Sequence, residues 1–245
     1  MKQLILSLSF LTRIYIPNNY EITDKDFPGS IWLYPFIGLL IGGLLSGFFV
    51  LYSSIFKSSE LLAFFIILLY LTITGGLHID GLADSFDGLF SSRPTEKILE
   101  IMSDSRIGAF GAIGLIVYFL GLYVCLQASD FYSLLLFPFV GRASILLVSS
   151  FSNYKKEAGM GKIIVNSCGF SHFIYAITLS FLLCLITDIS FVIPMFIAYI
   201  IIIMIVFYIQ KKLGGITGDI LGLSVELSQL VFLICIQLIN SMVIL

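Results

Sequence analysis

Charge is what this 245-residue sequence has least of: 11% of its residues are Asp, Glu, Lys or Arg, against about 25% in an ordinary soluble domain. It has no Cys-x-x-Cys. Cys125, Cys168, Cys184 and Cys235 are scattered in or beside apolar segments and read as small buried hydrophobes. No GxxxxGK[ST] loop is present, so a Walker A site is excluded. Neither a Ser-His-Asp order nor a metal-binding Cys/His set can be assembled. Short segments of alternating polarity are missing, which excludes a β-barrel. With a net charge of −2, nothing points to a nucleic-acid partner.

Apolar residues are in excess, at 59%. A hydrocarbon core about 30 Å thick needs roughly 20 apolar helical residues to cross it. Seven stretches qualify, about 31–55, 60–79, 109–128, 131–151, 170–187, 190–209 and 226–245. The expected fold is all-α: a polytopic transmembrane helical bundle of about seven spans in the lipid bilayer, with short interfacial helices. No internal repeat or linker divides it, so residues 1–245 read as a single integral-membrane domain, and a homo-oligomer is compatible with it. The opening MKQLILSLSFLTRIYIP resembles a signal peptide in its lysine and apolar run. Arg13 interrupts that run, however, and no small-x-small cleavage site follows. Leu4, Leu8, Leu11 and Tyr15 fall at helical spacing, predicting a helix on the membrane surface or against the bundle.

With the N-terminus inside, loops 1–30, 80–108, 152–169 and 210–225 hold all 13 basic residues except Lys57, outside, and Arg142, within a span. The positive-inside rule makes that side cytoplasmic. Gly38, Gly42, Gly43 and Gly47 in the first span form interleaved small-xxx-small pairs, whose usual meaning is close helix packing.

The scarce charges concentrate in four stretches on that side. In GGLHIDGLADSFDG, residues 75–88, Asp80, Asp84 and Asp87 are spaced i, i+4, i+7 and share one helical face. Two unit charges 6 Å apart repel by roughly 2–3 kcal/mol at an effective dielectric of 20, so a cation or raised pKa values should relieve them. Oxygen ligands with open water positions suit Mg²⁺ that also meets phosphate. The plain alternative is a solvated helix end, and His78 reads more readily as a structural hydrogen-bonder than as a ligand. Gly75, Gly76, Gly81 and Gly88 leave room for a ligand to approach.

The second stretch, 92–111, predicts a short surface helix with Pro94 in its first turn and Ile98, Ile101 and Met102 on one face. It delivers Asp104 and Arg106 to the bilayer, either as a phosphate contact or as an Asp104–Arg106 pair. In the third, FSNYKKEAGMGK, Lys155 and Lys156 are explained as readily by an inside anchor. Arg142 in the preceding span should face the interior, as a phosphate contact or an aspartate's partner. In the fourth, KKLGGITGDILGLSVELSQ, glycines including Gly218 surround Asp219, and Glu226 follows at the start of the last span.

Clustered carboxylates, glycines and arginines at a membrane boundary point to phosphoryl transfer, which rests on positioning and charge neutralisation by metal. GGLHIDGLADSFDG, LEIMSDSRIGAFG and GGITGDILGLSVEL, in this order and with an opening SFLTRIYIP and YPFIGLLIG, resemble the adenosylcobinamide-GDP ribazoletransferase family, also called cobalamin synthases. The resemblance runs nearly the whole chain. It implies a Mg²⁺-dependent phosphoryl-group transferase of the bacterial cytoplasmic (inner) membrane. Adenosylcobinamide-GDP would accept α-ribazole or its 5′-phosphate, release GMP and give adenosylcobalamin or its phosphate. By motif, Asp80, Asp84, Asp87 and Asp104 are the catalytic candidates. His78, Arg106, Arg142, Gly218 and Asp219 are the substrate-binding candidates, and Asp80, Asp84, Asp87, Asp219 and Glu226 the candidate metal ligands. Two departures stand out: Gln229 replaces a second glutamate, so no essential charge is expected there, and YKKEAGMG has lysine where the family has arginine, which cannot supply a bidentate fork. An intramembrane prenyltransferase would need two separate DxxxD clusters. A secondary transporter would place its ionisable groups near the bilayer midplane.

Overall fold

The computed structural model describes residues 1–17, 19 and 23–243. Helices follow one another along it: α1 (Lys2–Leu11), α2 (Phe27–Ile31), α3 (Tyr34–Ile55), α4 (Ser59–Thr74), α5 (Leu77–Phe90), α6 (Thr95–Ile101), α7 (Ala109–Gln127), α8 (Phe131–Ser149), α9 (Met160–Ser167), α10 (Phe170–Thr187), α11 (Val192–Leu213) and α12 (Gly218–Val243). Among the described residues there is no strand, only one isolated bridge between Tyr154 and Ile216.

Six helices are long and apolar enough to cross a membrane: α3, α7, α8, α10, α11 and α12; a seventh is counted only when α4 and α5, bent by 97°, are taken together as one broken span. The chain is a multi-pass helical membrane protein, as its apolar segments predict. α8 and α12 are its centre, 83% and 72% buried along their most apolar windows, whereas α10 is 22% buried on the outside. Outer helices turn Val117, Ile193, Met204 and Phe207 outward, which costs nothing against lipid tails as apolar as themselves. The four cysteines are free.

The first span packs as its glycines predict, through one of its two pairs. A Cβ at Gly38 would stand 2.6 Å from the Pro138 carbonyl oxygen, and one at Gly42 would stand 2.0 Å from that of Leu135. α3 and α8 therefore touch backbone to backbone. Gly43 and Gly47 face open space. α1 packs on the bundle through Leu8 and Leu11 as expected, joined by Ile5 and Leu6, while Leu4 is exposed and Tyr15 lies beyond the helix. Its Ser7 hydroxyl donates to the Ser30 carbonyl at 2.9 Å.

Two boundaries differ from expectation, and both shape the site. The second apolar segment ends at Thr74, not 79. Gly75 and Gly76 both take left-handed backbone (φ +67° and +73°), which glycine alone adopts freely. Two such residues in succession turn the chain by 97°, so α5 runs across the end of the bundle, outside the spanning segments. The last helix starts at Gly218, not 226. Asp219 is therefore in its first turn, with Glu226 about two turns deeper. The end of the expected 226–245 segment, residues 244 and 245, lies outside the described residues. α6 forms as predicted, with Pro94 at its N-cap and Ile98 and Met102 buried under Gly88.

Candidate active site

The site is built on one helix crossing. α5 lies over the first turns of α12 at Gly81 and Gly222: a Cβ on Gly81 would be 2.9 Å from the Asp219 carbonyl oxygen, and one on Gly222 2.9 Å from that of His78. Backbone contact at this point draws Asp80 and Asp84 of α5 towards Asp219 of α12. The three nearest obstacles to a Cβ on Gly222 are all backbone, so no side-chain rotation makes room for a larger residue. Gly222→Ala is expected to force the helices apart and cost about 1–3 kcal/mol, read as a lower Tm in detergent. An unchanged Tm would mean that the crossing is loose.

Asp84 carries the electrostatic mark of this convergence. Burial, followed by the charges of Asp80, Asp219 and Asp87, pushes its carboxyl up to about 7, with Lys156 opposing. The fold therefore favours its protonated form. That favourable contribution is complete below the ordinary 3.8 and is lost as pH rises through 7. Asp80→Asn removes a like charge and is expected to bring the Asp84 midpoint down, visible in carboxyl infrared bands of the cation-free protein. An unmoved midpoint would separate the two residues.

Two clefts flank Asp80. One, of about 310 Å³, is lined by His78, Asp80, Lys156, Gly218 and Asp219, among others. The other, of about 430 Å³, is lined by Arg13, Gly75, Asp80, Asp84 and Ser105. A third hollow of about 360 Å³, with Phe10, Arg13 and Met160, adjoins both at Leu77. Gly218 opens α12 beside the first cleft, where free N–H groups and the helix dipole favour an anion. Asp219 accepts a hydrogen bond from the Thr217 hydroxyl at 3.0 Å and sits 3.4 Å from the Lys156 ammonium. Lys156 arrives because its loop is tied to the α11–α12 turn: Lys155 N–H donates to the Ile216 carbonyl and Ile216 N–H to that of Asn153, both at 2.8 Å. His78 is buried at the crossing and held neutral, its imidazole pushed down to about 3 by burial and by Arg142.

The other expected residues do not line either cleft. Asp87 is buried and accepts from the Gly108 and Gly111 amides at 2.7 and 2.8 Å, so its carboxylate caps the start of α7. Asp104 and Arg106 form an exposed ion pair at 2.6 Å, and the Arg106 guanidinium holds the Asp104 carboxyl at about 2.

Arg142 and Glu226 are both fully buried within the bundle. Arg142 Nη1 donates to Gln229 Oε1 at 2.8 Å and to the Tyr70 hydroxyl at 3.2 Å, and its guanidinium lies 5.6 Å from the Tyr70 ring centre. Gln229 Nε2 in turn donates to Glu226 Oε2 at 3.0 Å, while Tyr70 and Tyr118 donate their hydroxyl protons to the same carboxylate. The expectation of an aspartate partner for Arg142 is corrected: its partners are a glutamine and a tyrosine. Gln229 carries no charge, yet it joins the cation to the anion.

Asp80, Asp84 and Asp219 bring carboxylate oxygens to this crossing, the donor type that a hard divalent cation takes. As they stand, no three Asp, Glu, His or Cys side chains among the described residues are placed so that they could hold a metal ion together. Lys156, which the sequence explains as readily as an inside anchor, and Arg13 are lining residues that the sequence did not single out. Spacing holds no signal for either, since Lys156 is 63 residues from its partner Asp219.

A helical membrane protein that collects carboxylates, a lysine and a helix N-terminus at one end of its bundle belongs to the class of membrane-embedded enzymes acting on phosphorylated substrates. Residues 3–237 match the family model of cobalamin-5-phosphate synthase. The chain is 40% identical to the adenosylcobinamide-GDP ribazoletransferase of Alkaliphilus oremlandii over the full length of both. It is 36% identical to that of Clostridium acetobutylicum, covering 96% of this chain and 95% of the relative, and 35% identical to that of Clostridioides difficile, covering 99% of each. The chain belongs to the cobalamin-5-phosphate synthase family. No solved structure matches it.

Proposed function

We propose that this protein joins α-ribazole, or its 5′-phosphate, to adenosylcobinamide-GDP, releasing GMP and forming adenosylcobalamin or its 5′-phosphate. The observation that carries the reading is the convergence of Asp80, Asp84 and Asp219 at the α5–α12 crossing, in a chain of this family. A ring hydroxyl of the acceptor's ribose, free whether or not the 5′ position carries phosphate, attacks the phosphorus attached to cobinamide; a new P–O bond forms, the bond to GMP breaks, and GMP leaves. The carboxylate cluster supplies the acceptor for the hydroxyl proton. Asp80, Asp84 and Asp219 would hold Mg²⁺, which neutralises diphosphate charge when bound. Lys156 and the amides at the start of α12 attract the anionic substrate to the first cleft. Asp87 keeps α7 seated against α5, and the Arg142–Gln229–Glu226 group fixes α12 beneath the site.

The site end of the bundle carries Lys155, Lys156, Lys211 and Lys212 in its connections. This supports a cytoplasmic-membrane protein whose site opens to the cytoplasm. Purified protein in lipid, supplied with adenosylcobinamide-GDP, α-ribazole and Mg²⁺, should yield GMP and cobalamin in equal amounts, and neither when Mg²⁺ is chelated. Folded protein that makes no product would overturn the reading.

A further inference from the structure

Arg13 has no part in the chemistry above, yet its placement is closely specified. Its backbone N–H donates to the Ile73 carbonyl at 2.7 Å, in the last turn of α4. The side chain then crosses Gly75, where a Cβ would stand 2.0 Å from Arg13 Nε and 2.7 Å from its Cγ. The break between α4 and α5 is thus also the channel through which this arginine passes. Beyond it lies the cleft of about 430 Å³ that holds Asp80 and Asp84. The other cations nearby are engaged: Lys156 with Asp219 and Arg106 with Asp104. Among the described residues, Arg13 has no carboxylate within 4 Å.

A guanidinium fixed at its backbone and left without an anion presents a planar fork suited to phosphate oxygens. Lys156 stands on the other side of Asp80, in the cleft of about 310 Å³. We propose that Arg13 is a phosphate-binding residue of this site, gripping the diphosphate of the donor nucleotide from the side of Asp80 opposite Lys156. This rests on the transfer reaction proposed above. The donor is chosen because its diphosphate is present in every turnover, whereas the acceptor can arrive without a phosphate.

Arg13→Lys and Arg13→Gln test it, with KM measured separately for donor and acceptor in phospholipid-free detergent and again in liposomes containing anionic lipid. Arg13→Gln is expected to raise the donor KM about 10- to 100-fold, the loss of a charge-assisted hydrogen bond. Arg13→Lys should fall between, keeping the charge without the fork, and the acceptor KM should hold. A donor KM that stays at the wild-type value overturns the proposal, as does a rise confined to the acceptor. An effect seen only in liposomes overturns it too, by assigning the guanidinium to lipid headgroup phosphate. If the wild-type protein makes no product, the transfer reaction itself is struck. GDP binding measured in parallel then still decides Arg13: weaker binding by Arg13→Gln supports the contact, and equal binding removes it.

Discussion

Asp80→Asn is expected to lower turnover by about 10²- to 10⁴-fold without lowering Tm. Asp80 is exposed and lines both clefts, so it is the carboxylate most open to a ligand from either side. Its charge raises the Asp84 carboxyl, which means that the two repel in the folded protein. An isosteric amide removes that repulsion, so Tm should hold or rise while activity disappears, the pattern of a residue kept for function at the expense of stability. Turnover by the purified variant in lipid, with thermal unfolding alongside, checks both halves. Wild-type turnover would remove Asp80 from the site. A large fall in Tm would mean that its role is structural.

Arg142→Met is expected to destabilise the bundle by about 3–5 kcal/mol, the usual cost of stripping one partner from a buried charge pair. The cation is fully buried and is bound through Gln229 and Tyr70 on two other helices. Without it, Glu226 keeps its three donors, Tyr70, Tyr118 and Gln229, but loses the only cation in the network. The double variant Arg142→Met with Glu226→Gln removes both charges and should recover much of the loss. Thermal unfolding in detergent reads all three proteins. A single variant that melts like the wild type would show that the network contributes little.

Much of the bundle was legible because an apolar run of span length has few other uses. Close packing of α3 was legible as well, since glycines four apart in a span mean close approach, though nothing in the sequence named α8 as the partner. The break after Thr74 was harder. The run LLAFFIILLYLTIT continues into two glycines, and composition alone cannot tell room for a ligand from a left-handed turn. GGITGD likewise falls in an expected loop, although α12 already begins at its Gly218. At the site, helical spacing put Asp80, Asp84 and Asp87 on one face. It could not separate them, because the amides that engage Asp87 come from residues 108 and 111. Gln229 looked dispensable as a charge, and its importance as a bridge depends on Arg142, 87 residues away. The ionisable groups do not all gather at one end, since Arg142 and Glu226 lie deep in the bundle; a neutral amide between them made that tolerable.

The early stop of α4 also acts on the surrounding lipid. Sixteen helical residues reach about 24 Å, short of a hydrocarbon layer about 30 Å thick. A bilayer that dips towards the protein along this helix would meet the mismatch, at a cost of a fraction of a kcal/mol per ångström. The dimple would lie beside the acid-bearing helix, bringing headgroups and water down to the level of the clefts. Acyl-chain length therefore becomes a variable of the enzyme, with short-chain lipids relieving the mismatch and long-chain lipids deepening it.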